Sequence, residues 1–124
     1  MVKWIYLFFG GGIGTMARYA LSGIICEWFG SRFPLGTLAV NLLGCFLAGF
    51  LTVMTDERFF FSPELRTSLF IGFLGGFTTF SALISETANL IKDGQTLLAF
   101  SNVLLSVSVG FIVFRLGILL GKVI

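Results

Sequence analysis

Hydroxyl and amide side chains recur at helical spacing inside long apolar segments of this chain. Residues three or four positions apart share one face of a helix, so each set forms a polar stripe. Hydroxyls and amides donate hydrogen bonds without carrying a charge, which suits a partly dehydrated anion. Stripes on three helices of so small a protein favour a water-lined route over a dry core. The stripes are Thr37, Asn41, Gly44, Ala48 and Thr52; Thr78, Ser81, Ser85 and Asn89; and Asn102, Ser106 and Gly110.

The strongest polar groups inside these segments each allow two roles. Arg18 keeps its proton and is costly in a membrane, so it is expected to face protein or water rather than lipid. It either attracts an anion or anchors the first helix by snorkelling toward an interface. Glu86 is either a carboxylate in the vestibule of a path or a partner of Lys92. Asn41 either donates to an anion or bonds a neighbouring helix.

Phenylalanine is abundant, with 16 residues, and one aromatic stripe lies on the polar third segment. Phe73, Phe77, Phe80 and Ile84 follow helical spacing, which is typical of packing or lipid-facing surface. The edge of an aromatic ring is electrically positive. A ring turned edge-on can therefore coordinate a small hard anion weakly enough to release it.

The composition identifies the solvent of this protein as lipid. Hydrophobic residues make up 56% of the 124 residues and charged residues only 11%, so a soluble fold of this length would leave apolar surface exposed. The net charge of +2, without a basic cluster, argues against nucleic acid as a partner. Histidine is absent, and Cys26 and Cys45 form no CxxC motif. We therefore expect no enzyme active site.

Four apolar segments are each near the length of about 20 residues that crosses a bilayer. They predict an all-α membrane protein with a single four-helix transmembrane domain over residues 1–124. In the third segment, Gly75-Gly76 is followed by the β-branched pair Thr78-Thr79, which predicts a helix broken in its middle. Because four helices enclose little space, a transport site is expected at a subunit interface. The spans are about residues 4–28, 35–54, 65–91 and 97–121.

Three motifs in this order resemble the Fluc/CrcB fluoride channels. They are the glycine-rich first helix ending in Arg18-Tyr19, the run Gly36-Thr37-x-x-x-Asn41, and Gly-Gly-Phe-Thr-Thr-Phe-Ser at 75–81. The resemblance implies a dual-topology, antiparallel homodimer with two pores in the bacterial inner or plasma membrane. It also implies passive export of cytoplasmic fluoride, which enters cells as hydrogen fluoride and is trapped after dissociation. Such export reduces fluoride toxicity.

The resemblance also implies roles for single residues. A structural sodium ion at the dimer interface would be held by the backbone carbonyls of Gly75 and Thr78 from both subunits. The second phenylalanine of the family's aromatic pair falls on Leu83, which has no ring edge to offer. An aromatic or polar position of the fourth helix falls on Asn102, and a following serine falls on Gly110. The implied fluoride pore comprises Asn41, Phe80, Ser81, Leu83, Glu86, Ser106, Asn102 and Arg18.

Two other functions fit the gross shape of the chain. A small multidrug-type exporter is also a four-helix membrane protein, but it needs a carboxylate within its first helix to exchange protons for a cationic drug. Here that helix carries Arg18, and its only acid, Glu27, lies at its end. A non-transporting membrane assembly subunit would use the polar stripes for packing alone and would need no broken helix.

Overall fold

The computed structural model describes residues 1–30, 32–58 and 61–124, and their regular structure is entirely helical. Two π-helices supplement the α-helices: Met54–Arg58 extends α2, and Ser68–Leu74 joins α3 to α4. No strand occurs in these residues, so the prediction of an all-α protein is confirmed. The α-helices are α1 (Val2–Phe29), α2 (Leu35–Val53), α3 (Pro63–Thr67), α4 (Gly75–Phe77), α5 (Phe80–Lys92) and α6 (Thr96–Val123).

Three helices of the described chain are long and apolar enough to cross a membrane. They are Leu35–Glu57, Pro63–Lys92 and Thr96–Val123, with mean hydropathies of 2.0, 1.6 and 2.4. We call Pro63–Lys92, which runs from α3 to α5, the third span. The chain is therefore a multi-pass membrane protein. Helix α1 has 28 residues, but its glycines and Arg18 lower its hydropathy, and its crossing of the membrane stays a prediction.

Helix α1 and the third span pack backbone against backbone. A methyl group at Gly14 would overlap the Phe73 carbonyl oxygen, and one at Gly10 would lie 2.7 Å from the Ser68 carbonyl oxygen. Residues later in α1 contact residues later in the third span, so the two helices run parallel. Glycine allows this approach because it has no side chain to separate the two backbones.

Helices α2 and α6 form a second parallel pair by the same means. A methyl group at Gly49 would overlap the Phe114 carbonyl oxygen, and one at Gly117 would overlap the Phe46 carbonyl oxygen. Closer to the start of both helices, a methyl group at Gly110 would lie 3.5 Å from the Cys45 sulfur. Since lipid gives no hydrophobic force between helices, such close van der Waals packing holds the pair together.

The third span is broken at Thr78 and Thr79 rather than at the glycines before them. Thr78 (φ −85°, ψ 157°) and Thr79 (φ −149°, ψ 113°) are extended, whereas Gly75–Phe77 is helical. Gly76 is a glycine because a methyl group there would lie 2.6 Å from the Gly11 carbonyl oxygen. Gly76 therefore serves packing against α1, and the threonines carry the break.

We expect Gly117→Ala to destabilise the protein by about 1–3 kcal/mol, because the added methyl group forces α6 away from α2. Thermal unfolding in detergent, followed by circular dichroism, measures the effect. Gly23→Ala is the matched control, since a methyl group at Gly23 meets no atom of the described chain within 4 Å. Equal unfolding temperatures for the two variants would contradict the packing described for α2 and α6.

Candidate functional site

Asn41 closes the break in the third span with two reciprocal hydrogen bonds. The Thr79 N–H donates to Asn41 Oδ1 at 2.8 Å, and Asn41 Nδ2 donates to the Thr79 carbonyl at 3.0 Å. The side-chain amide thus takes the place of the helical partners that Thr79 lacks. Inside a membrane an unpaired backbone group costs several kcal/mol, and the pairing with Asn41 offsets this cost at the break. One amide hydrogen of Asn41 remains for another acceptor.

Side chains also stabilise both ends of the break. Thr79 Oγ1 accepts a hydrogen bond from the Ala82 N–H at 3.2 Å and so caps the N-terminus of α5. The Leu74 carbonyl accepts from both Thr78 Oγ1 at 2.8 Å and the Thr78 N–H at 2.9 Å, at the end of the preceding helix. On the α1 side, Arg18 Nε donates to the Gly76 carbonyl at 3.1 Å. The observed geometry therefore gives Arg18 a positioning contact at the break.

Two carbonyls at the break lose their usual helical donors. In an unbroken helix the Gly75 carbonyl would accept from Thr79 N, and the Thr78 carbonyl from Ala82 N. Those two donors instead bond Asn41 Oδ1 and Thr79 Oγ1. Among the described residues, no group of three or more His, Cys, Asp or Glu side chains is placed to hold a metal ion. The Gly75 and Thr78 carbonyls are the oxygen donors that the sequence predicts for a hard cation, which prefers oxygen ligands.

A cleft of about 470 Å³ lies beside the break, between α2, the third span and α6. Its surface is mostly apolar, with a few hydroxyl and amide groups. Phe80 is 73% exposed in the single chain, whereas Leu83 is only 5% exposed and lines the wall. The Ser106 hydroxyl oxygen is buried and has no hydrogen-bond partner within the described part of the chain. Six predicted site residues line this cleft: Asn41, Gly75, Thr78, Phe80, Leu83 and Ser106.

The other predicted site residues lie outside the lining of the cleft. Ser81 is exposed and its hydroxyl is 3.2 Å from Thr79 Oγ1. Asn102 is 1% exposed, and its Nδ2 donates to Thr87 Oγ1 at 3.1 Å, which ties α6 to α5. Arg18 lines a separate cavity against α1.

Glu86 lines another cavity, of about 460 Å³, near the α5–α6 turn. Its Oε1 accepts a hydrogen bond from Thr37 Oγ1 at 2.6 Å. Its Oε2 is buried without a hydrogen-bond partner among the described residues. Arg32 and Asp93 line the same cavity. The geometry therefore links Glu86 to α2 through Thr37, on the loop side of the break.

Sequence reasoning missed Thr79 and Phe70 as members of the site. Thr79 is the partner of Asn41 and caps α5. The sequence signal for its place in the site is its position directly before Phe80. Phe70 lines the cleft together with Leu74 and Thr78. The spacing of four residues between them is present in the sequence, but the aromatic stripe that begins at Phe73 lies on another face of the helix and does not include Phe70.

That stripe divides at the break. Phe73 and Phe77 stack with their ring centroids 5.7 Å apart, and Phe77 is only 3% exposed. Beyond the extended threonines, Phe80 and Ile84 are exposed instead. The two extended residues rotate α5 relative to α4, so one sequence stripe serves internal packing before the break and outer surface after it.

Comparison with known proteins places this geometry in a family. A profile described as "CrcB-like protein, Camphor Resistance (CrcB)" matches residues 5–118. The chain belongs to the CrcB family. This finding confirms the resemblance found in the sequence motifs, and the match covers both the Asn41–Thr79 pairing and the cleft.

Several CrcB relatives carry the name "Fluoride-specific ion channel FluC". A relative from Desulforapulum autotrophicum is 43% identical over 122 residues, covering 98% of each chain. One from Geotalea uraniireducens is 44% identical over 118 residues, covering 95% of each chain. One from Geobacter sp. strain M21 is 43% identical over 122 residues, again covering 98% of each chain. These names describe ion channels and not enzymes, in agreement with the sequence prediction.

We expect Asn41→Ala to destabilise the protein by about 1–3 kcal/mol for each Thr79 backbone group that loses its partner. Thermal unfolding of the purified protein in detergent, followed by circular dichroism, measures the change. Asn89→Ala is the matched control, because Asn89 is exposed and lies in the regular part of α5. If the Asn41 variant unfolds at the temperature of the parent, the pairing with Thr79 does not hold the break.

Proposed function

We propose that this protein is a passive fluoride-selective ion channel that exports cytoplasmic fluoride and so reduces fluoride toxicity. The observation that carries the proposal is the cleft beside the broken third span, in a CrcB chain whose relatives are named fluoride-specific channels. The cleft combines the side-chain amide of Asn41, the ring of Phe80 and the buried hydroxyl of Ser106, which has no hydrogen-bond partner among the described residues. These groups attract an anion without binding it so strongly that it cannot leave.

The polarity of the broken helix supports an anion path at this position. Helix α5 begins at Phe80, so its N-terminus, which carries partial positive charge, lies at the cleft. Helix halves that point their N-termini at an anion are a recurring device of membrane transport proteins. Phe80, with its positive ring edge, adds a weak contact. Ser81 extends the polar surface beyond the cleft through its contact with Thr79.

We propose that Arg18, Glu86 and Asn102 contribute to the path from outside the cleft. Arg18 positions the Gly76 carbonyl and adds a fixed positive charge on the α1 side of the break. Glu86 and Thr37 form a vestibule contact on the loop side. Asn102 holds α6 against α5 and thereby sets the position of Ser106, one turn further along the same helix. Leu83 narrows the cleft as an apolar wall.

We propose that the working unit is an antiparallel, dual-topology homodimer with two pores in the bacterial inner or plasma membrane. In the single chain the cleft opens at Phe80, and Gly75 at the break is exposed. Irregular backbone at membrane depth is tolerated where protein buries it or where it lines a wet cavity. A second copy against this face would provide that cover, as the resemblance to the Fluc/CrcB channels implies.

We further propose that Gly75 and Thr78 carbonyls from both subunits hold a structural sodium ion at the dimer interface. The fit rests on the two diverted helical donors described above and on the exposure of Gly75. The positive charge of the sodium ion would join the two subunits at their symmetry axis. Backbone oxygens suit this role because sodium, like other hard cations, prefers oxygen ligands.

The proposed function predicts that liposomes containing the purified protein release fluoride and retain chloride. Vesicles loaded with potassium fluoride and supplied with a potassium ionophore report the efflux to a fluoride electrode. We also expect Phe80→Ile to lower the efflux while the dimer stays folded, because an aliphatic group offers no positive edge. Phe8→Ile is the matched control, since Phe8 is exposed near the start of α1.

Absence of fluoride efflux from the parent vesicles, or equal efflux of chloride, would refute the channel. If Phe80→Ile conducts like the parent, Phe80 serves packing alone. The outcomes are distinguishable when a parallel set of vesicles, loaded with potassium chloride, is read with a chloride electrode. Size-exclusion chromatography must show the same elution for all variants.

The sodium proposal predicts that sodium chloride raises the unfolding temperature of the dimer relative to N-methylglucamine chloride at equal ionic strength. A ligand that binds only the folded state stabilises it in proportion to the logarithm of its concentration above the dissociation constant. Differential scanning fluorimetry in detergent measures the shift across a sodium titration. An unfolding temperature that is independent of the cation would contradict the site.

A further inference from the structure

Phe70 is the second phenylalanine ring in the wall of the cleft. It lies in the π-helix Ser68–Leu74, and with Leu74 and Thr78 it forms a row of residues four apart along the cleft. Phe80 lines the same cleft from the far side of the break. Short π-helices occur frequently at functional sites. Leu83, which shares the cleft, contributes no aromatic ring.

One face of the Phe70 ring has a cationic neighbour. The guanidinium carbon of Arg66 lies over the ring, 5.9 Å from its centroid. Arg66 also forms a partly exposed salt bridge, with its Nη1 2.7 Å from Asp56 Oδ1. A cation over an aromatic face is attracted by the negative part of the ring quadrupole. One face of Phe70 is thus occupied by a positive group, and the positive rim of the ring remains for other contacts.

We propose that Phe70 is a second aromatic ligand of the fluoride path and presents its ring edge to the ion in the cleft. This inference rests on the proposed function, since it assigns a further residue to the same path. Phe70 and Phe80 then bracket the break from its two sides, with Asn41 and Ser106 as the hydrogen-bond donors between them.

The experiment compares fluoride efflux from liposomes that contain the parent protein, Phe70→Leu or Phe73→Leu. We expect Phe70→Leu to lower the efflux rate by about tenfold, which corresponds to about 1.4 kcal/mol in the barrier. Phe73→Leu is the matched control on the same π-helix. Phe73 stacks on Phe77 and lines the groove against α1, so its loss should leave the rate within about twofold of the parent.

A shape-preserving variant separates a ring contact from a packing role. Pentafluorophenylalanine at position 70 keeps the ring but makes its edge negative, because fluorine reverses the quadrupole. If Phe70 contacts the ion, this variant loses efflux at least as strongly as Phe70→Leu. The pentafluorophenylalanine variant also tests the ring contact if Phe70→Leu does not fold.

Each outcome has a definite meaning. Fluoride efflux by the parent with loss in both Phe70 variants supports the inference. Parent-like efflux by the folded pentafluoro variant overturns it and reduces Phe70 to packing, while the channel itself stands. Loss of efflux in Phe73→Leu equal to that in Phe70→Leu also overturns it, because the effect is then not specific to the cleft. A parent protein without fluoride efflux overturns both the inference and the proposed function.

Discussion

The reciprocal hydrogen bonding between Asn41 and Thr79 is the constraint on which the rest of the site depends. A membrane helix cannot stop and restart unless the backbone groups at the interruption find partners, because lipid supplies none. Asn41 offers a donor and an acceptor on one planar group, so it satisfies both the N–H and the carbonyl of Thr79. The side chain comes from α2, and the break is therefore fixed relative to a different helix.

The break has opposite consequences on its two sides. The Gly75 carbonyl before the break and the Thr78 carbonyl within it have lost their helical donors. The chain after it begins with the positive N-terminus of α5 at Phe80. The proposed sodium site and the proposed fluoride path would thus share a single interruption of the helix. The glycine contacts of α1 with the third span, and of Gly44 in α2 with Thr78, bring the helices close enough for Arg18 and Asn41 to reach this point.

Much of this arrangement follows from the sequence, and the exceptions have physical reasons. Apolar composition and segment length identify a membrane protein, and the small and polar residues around 75–81 predict an interrupted helix. The interruption falls on the threonines, because Gly76 is needed for contact with α1, a tertiary requirement that helix propensity does not contain. Asn102 follows the polar stripe of α6, yet its bond to Thr87 keeps it outside the cleft lining. Phe70 was missed because the aromatic stripe that begins at Phe73 lies on another face of the helix and does not include it.

The most direct test of the account is the reversal potential of currents through the purified protein in a planar bilayer. Fluoride and chloride gradients are imposed in opposite directions, so the two equilibrium potentials differ in sign. A path built from hydroxyl, amide and aromatic-edge contacts at the break predicts reversal at the fluoride equilibrium potential. Reversal at the chloride equilibrium potential, or the absence of current with both ions present, would contradict it.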